Sequence, residues 1–421
     1  MSQPPPTPHP DAGGLHLVFF ERAGDARAAF ERARTGGEEY YHGEQRAVAL
    51  KRELAGRFGR ATVVTATGGG GWDERLTPRL RAVGLGRGHA DFEPAARAWL
   101  DADPPTHLIV GPEPGILEWA AGRRPRVEVL PNFAHTFFNP PAGASPLARL
   151  RRRLAGERDR RRFAAALRRL DPLLLLNHNL VAAEDLRRLA PRPERVSAFE
   201  VVDETPLRRA RERALDPGQP PRVFFCGRTD PDKGLSELIQ ACGLLTREGL
   251  APRLVVCGAG DGAAAQALAD ASGLGGGLEW RGPSPRSEVI EQLERAAVAA
   301  VPSWPSCPEG LPLTLMEPLG MGVPVVASGH RAWARLREGE QVVRHRGSEP
   351  AAIASALRSV LADPALHARL SRNGPDAFRG LRCPEMLADA QRRWADLALG
   401  AVGSLAMPRL GGETGGEAFA A

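Results

Sequence analysis

The chain alternates short aliphatic and β-branched runs with longer stretches of helical period, and no other feature narrows its fold as far. In the first half the runs are LHLVFFE (15–21), ATVVTA (61–66), THLIVG (106–111), RVEVL (126–130), PLLLLN (172–177) and RVSAF (195–199). The second half continues with RVFFCG (222–227), RLVVCG (253–258), LEWRG (278–282), VAAVPS (298–303), VPVVAS (323–328) and QVVRH (341–345). Strands that are largely apolar are buried on both faces, and helical crossovers supply the cover, which is how a parallel sheet is built. The breaker cluster DPGQPP at 216–221 interrupts the alternation between two halves of similar content. The sequence therefore predicts an α/β fold of two Rossmann-like parallel-sheet domains facing a central cleft, and 421 residues suffice for both. The N-terminal domain is expected over 15–215, a linker at 216–221 and the C-terminal domain over 222–380, with a last helix over 381–400 packing back on the first domain. Residues 1–14, which carry five prolines, and the glycine-rich 401–421 are expected to be a disordered and a flexible tail.

Charge and cysteine usage exclude several classes. Lys plus Arg total 56 against 50 Asp plus Glu, a net +6, and 43% of residues are hydrophobic, so the chain is an ordinary globular one. The mild positive charge is interleaved with acids, and no nucleic-acid partner is expected. No apolar run reaches the roughly 18 residues of a membrane span, and MSQPPPTPHPDAGG lacks the basic and apolar regions of a leader. Five scattered cysteines suggest neither a disulfide framework nor a zinc knuckle, which fits a reducing cytoplasm. Only Lys51 and Lys233 are lysines, so each is a point charge in a chain that otherwise uses arginine.

Two segments carry the chemistry. In PEGLPLTLMEPLGMGVPVVAS (308–328), Glu309 is placed in a loop and Glu317 near the second turn of a buried helix. The unpaired amides at that helix start suit an anion, and two carboxylates beside it suit sugar or ribose hydroxyls, so a nucleotide sugar satisfies all three features. In FFCGRTDPDKG (224–234), a strand ends at Gly227 and Arg228 while Asp232, Lys233 and Gly234 open a helix, bringing two cations to one strand end as a diphosphate requires. Plainer readings stay open: two unrelated acids, and two surface cations with Asp232 capping the helix.

Together these segments resemble the retaining glycosyltransferase family 4, which has the GT-B fold. The resemblance rests on GRTDPDKG, EGLPLTLME and GVPVVAS in that order, supported by LVVCGAG, RGPSPRSEVIEQLERA and SEPAAIASALRSVLADPALHARL, and it covers about 220–375. Pro312 stands where the family often has glycine, which removes one N–H from the site. The resemblance implies transfer of a sugar, of hexosyl type and with retention, from a nucleoside diphosphate sugar to a saccharide, lipid or small-molecule acceptor in glycan, glycolipid or glycoconjugate biosynthesis. It makes 15–215 the acceptor side and 222–380 the nucleotide-sugar side. By it Arg228 and Lys233 neutralise the diphosphate, Glu309 binds the transferred sugar, Glu317 holds the ribose, Gly282 lies against the base, and Gly227, Gly310, Leu313 and Thr314 complete the donor site. His135, in VEVLPNFAHTFF, is the counterpart of the cleft histidine, whereas His178 is read as ending a strand near the cleft in a structural role. No cofactor and no metal are expected.

Three further features have more than one reading. GAGDG from Gly258, with Glu279 about 20 residues on, mimics a dinucleotide fingerprint and keeps a NAD-dependent oxidoreductase as the alternative, beside a non-catalytic nucleotide-sugar binding module. Asp101 with Asp103, and Asp230 with Asp232, mimic a metal-binding D-x-D. Residues 147–170 combine Leu147, Leu150, Leu154, Phe163, Leu167 and Leu170 with ten arginines, a pattern for either peripheral contact with an anionic membrane at its inner face or a solvated, core-packed helix. The loops 36–45 and 68–74 are expected on the acceptor side.

Overall fold

The computed structural model describes residues 14–400 apart from 22–24, 40–42, 67–69, 88–90, 130–145 and 308. His135 and most of both terminal tails lie outside the described residues. The first lobe begins with β1 (His16–Glu21), α1 (Ala26–Thr35), α2 (Glu44–Phe58), β2 (Arg60–Thr65), β3 (Trp72–Thr77) and β4 (Leu80–Gly84). It continues through α3 (Phe92–Ala102), β5 (His107–Val110), α4 (Pro114–Arg123), β6 (Arg126–Val129), α5 (Pro146–Leu170), β7 (Leu174–Asn177), α6 (Leu180–Arg187) and β8 (Val196–Glu200). The second lobe runs β9 (Arg222–Cys226), α7 (Leu235–Arg247), β10 (Arg253–Cys257), α8 (Gly262–Ser272), β11 (Leu278–Gly282), α9 (Arg286–Arg295) and β12 (Val298–Val301). There follow α10 (Leu313–Gly320), β13 (Val325–Ser328), β14 (Val343–His345), α11 (Pro350–Leu361) and α12 (Pro364–Leu381), then β15 (Glu385–Met386) and α13 (Leu387–Ala398).

The second sheet has the order β11-β10-β9-β12-β13-β14 and is parallel throughout. Its inner strands bury apolar residues on both faces: Phe224, Val255 and Ala299 pack towards α9 and α10, and Val223, Leu254 and Val298 towards α7 and α11. The first sheet, β15-β8-β7-β6-β5-β1-β2-β4-β3, is parallel except for β3, which runs antiparallel to β4. All twelve strand runs read from the sequence are strands here. The β3–β4 hairpin is new, because β3 is the charged, largely exposed edge segment WDERLT, with no apolar run to mark it. Trp72, Asp73 and Glu74, read as loop, therefore belong to a sheet edge.

After α12 the chain returns to the first lobe. β15 adds beside β8, and α13 buries Trp394 against Phe58, their rings 5.8 Å apart and nearly parallel, with His107 edge-on to both. The lobes also meet beside the cleft. The Arg286 amide donates to the Glu39 carbonyl (2.8 Å), Ser287 Oγ to Glu38 (2.8 Å), and Asn179 Nδ2 to the Ala332 carbonyl (2.9 Å). Glu38 and Glu39 belong to the 36–45 loop, which thus touches the second lobe.

Candidate active site

Three chain segments meet at the carboxyl ends of β9 and β12, the place where ligands bind in open parallel sheets. β9 ends at Cys226 and passes through Gly227 into a short 3-10 turn, Pro231–Lys233, before α7. Gly234 joins turn to helix at φ +73°, and a side chain there would come within 2.5 Å of the Pro302 carbonyl, so only glycine lets the turn lie against the end of β12. α7 accordingly starts behind Gly234 with no side-chain cap; Asp232, read as its cap, sits inside the turn. β12 opens into the loop that carries Ser303 and Glu309, and α10 begins behind Pro312, again without a capping side chain for its first amides. Gly227, Arg228, Lys233, Glu309, Leu313 and Thr314 line one cavity of about 200 Å³ between these segments.

The polar groups there are coupled. Lys233 Nζ lies 2.5 Å from Glu309 Oε1, which also accepts from Ser303 Oγ at 2.7 Å. Burial alone would raise the Glu309 pKa, but the Lys233 charge and hydrogen bond, with that of Ser303, hold it below the usual carboxylate range. For Lys233, burial works against the charge, and Glu309 outweighs it, so the ammonium persists. Lys233, a surface cation in the plainer reading, is thus enclosed, its side chain 18% exposed. Arg228 is different: it is 70% exposed at the cavity mouth, 3.0 Å from Asp230.

Glu317 lies on the second turn of α10, is buried, and pairs with the Arg286 guanidinium. Burial raises its pKa and Arg286 opposes that rise. Glu317, Gly282 and Gly310 stand outside the lining of the 200 Å³ cavity. Gly282, at φ +68°, closes β11, and its carbonyl accepts from the Gly258 amide at 2.7 Å. His178 follows β7 and stacks on Phe199, ring centres 5.2 Å apart, and burial lowers its pKa to about 4.

Arg286, Ser303 and His330 escaped the sequence reading. Arg286 is one arginine among many, and its partner Glu317 is 31 residues away. His330 is fully buried, shares a 2.9 Å hydrogen bond with the Cys307 carbonyl and so braces the Glu309 loop; its one sequence mark is its place just beyond VPVVAS.

The look-alike motifs have other partners. Glu279 is surrounded by Arg222 (3.3 Å), Arg253 (3.9 Å) and Arg281, which occupies the carboxylate a ribose would need. The glycines of GAGDG are explained by packing: a Cβ at Gly258 would meet the Gly227 carbonyl at 1.8 Å, and one at Gly260 the Thr229 hydroxyl at 1.8 Å. Asp101 accepts from Trp119 (2.8 Å) and Arg123 (3.0 Å), while Asp103 binds Arg60 at 3.1 Å and Arg81 at 3.4 Å. Asp230 pairs with Arg228, as above.

Residues 208–377 match the family model described as glycosyl transferases group 1. The matched segment contains the whole cavity. Among curated proteins, the amylovoran biosynthesis glycosyltransferase AmsK of Erwinia amylovora is 33% identical over 124 residues, covering 28% of this chain and 30% of the relative. The chain matches only about a third of the length of such relatives, between 30% and 38%. Solved structures extend the likeness over both lobes. A sucrose-phosphate synthase from Thermosynechococcus elongatus superposes with a TM-score of 0.62 at 17% identity, covering 92% of this chain and 99% of its own. HepE from Anabaena, solved with UDP and glucose, gives 0.58 at 13% identity, covering 92% and 100%. The chain has the GT-B fold.

Proposed function

We propose that the protein is a glycosyltransferase that moves a hexosyl group from a nucleoside diphosphate sugar to an acceptor hydroxyl with retention, in the manner of family 4. The observation that carries this reading is the single cavity in which Arg228, Lys233, the Leu313 and Thr314 amides and Glu309 converge. In this reading the amides and Arg228 take the diphosphate, and Lys233 bridges it to Glu309, which accepts from hydroxyls of the transferred sugar. Glu317, oriented by Arg286, accepts from the ribose, Gly282 borders the base, and His135 comes from the first lobe. The bond between the anomeric carbon and the phosphate oxygen breaks with its electron pair on the diphosphate. The new bond to the acceptor oxygen forms on the same face, and the departing phosphate takes the acceptor proton. The cations stabilise the developing charge, so no metal is assigned to the reaction.

HepE holds UDP on the same fold, and AmsK is named for amylovoran biosynthesis, which supports a nucleotide-sugar donor and glycan biosynthesis. Five cysteines without a disulfide among the described residues fit a cytoplasmic setting. The test is a donor panel of UDP-, GDP- and ADP-sugars assayed for nucleotide release with and without EDTA. One donor should turn over and survive EDTA. Binding without turnover would support the non-catalytic module instead, and manganese-dependent turnover would set aside the basic-pair account.

We also propose that α5 rests on an anionic membrane surface beside a lipid-linked or membrane-bound acceptor. Its carboxyl half buries Phe163 and Leu167, as a core-packed helix should, but Leu147, Leu150 and Leu154 are 58%, 54% and 63% exposed. They share one side of the helix, with Arg151, Arg153 and Arg158 also exposed, which is the pattern of an interfacial segment. The protein should sediment with phosphatidylglycerol vesicles and not with phosphatidylcholine ones, and the L147S/L150S/L154S variant should lose most of that binding. Equal recovery with both vesicle types would remove the proposal.

A further inference from the structure

The loop that carries Glu309 is held at two points. Near its start the Trp304 amide donates to the Asp232 carbonyl at 2.8 Å, which ties the loop to the turn of Lys233. Further on, the Cys307 carbonyl accepts twice, from the Glu309 amide at 2.8 Å and from His330 Nε2 at 2.9 Å. His330 Nδ1 in turn accepts from the Ala332 amide at 2.9 Å. A carbonyl can only accept and a backbone N–H can only donate, so this network assigns the ring proton to Nε2 and leaves the imidazole neutral. A second proton on Nδ1 would face the Ala332 N–H, and burial also lowers the His330 pKa. Trp333 fixes the plane of the ring: the two stack with centres 4.6 Å apart at 28°, and the indole N–H donates to the Ser328 carbonyl at 2.8 Å.

The first lobe grips the segment that carries His330 and Ala332. Asn179 caps α6 through Oδ1, which accepts from the Val181 amide at 2.8 Å and the Ala182 amide at 3.2 Å. Its Nδ2 is thereby turned outward and donates across the lobes to the Ala332 carbonyl at 2.9 Å. Beside it Asp185 pairs with Arg331 at 2.8 Å and Glu184 with Arg335 at 2.5 Å. Those two arginines are 47% and 41% exposed, so their pairs contribute little, whereas Asn179 is buried and its hydrogen bond is the directional one. The bonds form a chain: Asn179 to Ala332, Ala332 to His330, and His330 to the carbonyl that also receives the Glu309 amide. Asn179, His330, Ala332 and Cys307 all stand outside the lining of the donor cavity, and the chain enters that cavity only at Glu309.

We propose that His330 is a positioning residue that passes the contact between the lobes to Glu309, so that the carboxylate is set beside Lys233 only while Asn179 holds Ala332. The effect on turnover rests on the transfer reaction proposed above, in which Glu309 binds the sugar. Three variants separate the links. H330F keeps an aromatic ring on Trp333 but has no donor for Cys307, H330Q restores a donor near the place of Nε2, and N179D keeps the cap of α6 but loses the donor to Ala332. Growth on 15N-lysine labels Lys51 and Lys233 alone, and K51R assigns the two side-chain ammonium signals in NMR spectra of the intact protein. H330F and N179D should both shift the Lys233 signal and leave that of Lys51 in place, with H330Q close to the wild type. With the donor that the panel selects, kcat should fall at least ~10-fold in H330F and ~3-fold in N179D, and stay within ~2-fold of the wild type in H330Q. Affinity for the free UDP, GDP or ADP of that donor, measured by calorimetry, should change by less than ~3-fold in all three, because the sugar contact and not the diphosphate contact is disturbed. A Lys233 signal unmoved in both H330F and N179D would overturn the inference. Equal losses of kcat in H330F and H330Q, which would make ring packing the cause, or a loss confined to nucleotide affinity would overturn it too. Should H330F not melt cooperatively, N179D decides alone, since it leaves the core of the second lobe intact. A wild-type protein that turns over no donor would remove the transfer reaction, and the lysine signals would still decide whether the chain of bonds reaches Lys233 and Glu309.

Discussion

Lys233 and Glu309 show how one contact ties binding to folding. Glu309 is 8% exposed, and the Lys233 ammonium 2.5 Å away is what keeps its carboxylate ionised there. K233R preserves the charge but replaces a compact ammonium with a longer planar fork in an enclosed slot. Nucleotide-sugar turnover should fall at least ~10-fold, equivalent to ~1.4 kcal/mol, with a small change in melting temperature. K233M, which strands the buried carboxylate, should lower the melting temperature by about 5 °C or more. Steady-state kinetics and thermal melts on both variants decide it, and wild-type turnover in K233R would show that the ammonium geometry is irrelevant. The sequence made Arg228, Lys233, Glu309 and the α10 amides legible because glycines that permit close backbone approach leave fixed marks beside them. It did not reveal that Lys233 and Glu309 hold each other, since 76 residues separate the partners and nothing local encodes the pairing.

At the level of elements, α13 is held to the first lobe by more than apolar packing. Gln391 Nε2 donates to Glu128 Oε1 at 3.0 Å, and nearby Glu385 accepts from Ser197 Oγ at 2.6 Å. Glu128 is fully buried on β6, and burial pushes its pKa up to about 8, with the Gln391 bond and Arg393 opposing. The unfolded carboxyl ionises near 4.5. Between those values the unfolded chain has lost a proton that the folded one keeps, so this group's contribution to stability is complete below about pH 4.5 and declines as pH rises towards 8. E128Q cannot ionise and retains the shape. Its melting temperature should exceed that of the wild type by several degrees at pH 8, with the difference closing by pH 5. A constant offset across that range would mean that the Glu128 carboxyl ionises in the folded protein as it does in the unfolded chain, with no upward shift. Little of this was legible: VEV reads as an ordinary strand, and the acid in its centre carries no sign that a helix 263 residues away will cover it.

Across the whole molecule, apolar runs announced twelve strands, because burial on both faces demands apolar residues at most positions, whereas the buried β4, LRAVG, is too short and too interrupted by Arg81 to stand out. The edge strand β3 and the two-residue β15 obey no such demand, and their pairing is set by neighbours rather than by their own composition. The same closed packing makes the fold sensitive to acid through histidines that it keeps neutral. Burial lowers the pKa of His16, His107 and His178 to about 4, against 6.5 for an ordinary histidine. As pH falls below about 6.5 the unfolded chain takes up protons that the folded chain refuses until about pH 4, so stability drops through that window. His178 isolates the effect, because its ring lies nearly parallel to Phe199 at 12° and a phenyl ring can keep that stack without the titrating nitrogen. H178F should melt within about 2 °C of the wild type near pH 7.5, and should lose a few degrees less than the wild type on moving to about pH 5. Thermal melts of both proteins across that range provide the check: parallel losses would mean that His178 does not contribute to the acid response, whereas a smaller loss in the variant assigns part of that response to this one half-buried ring.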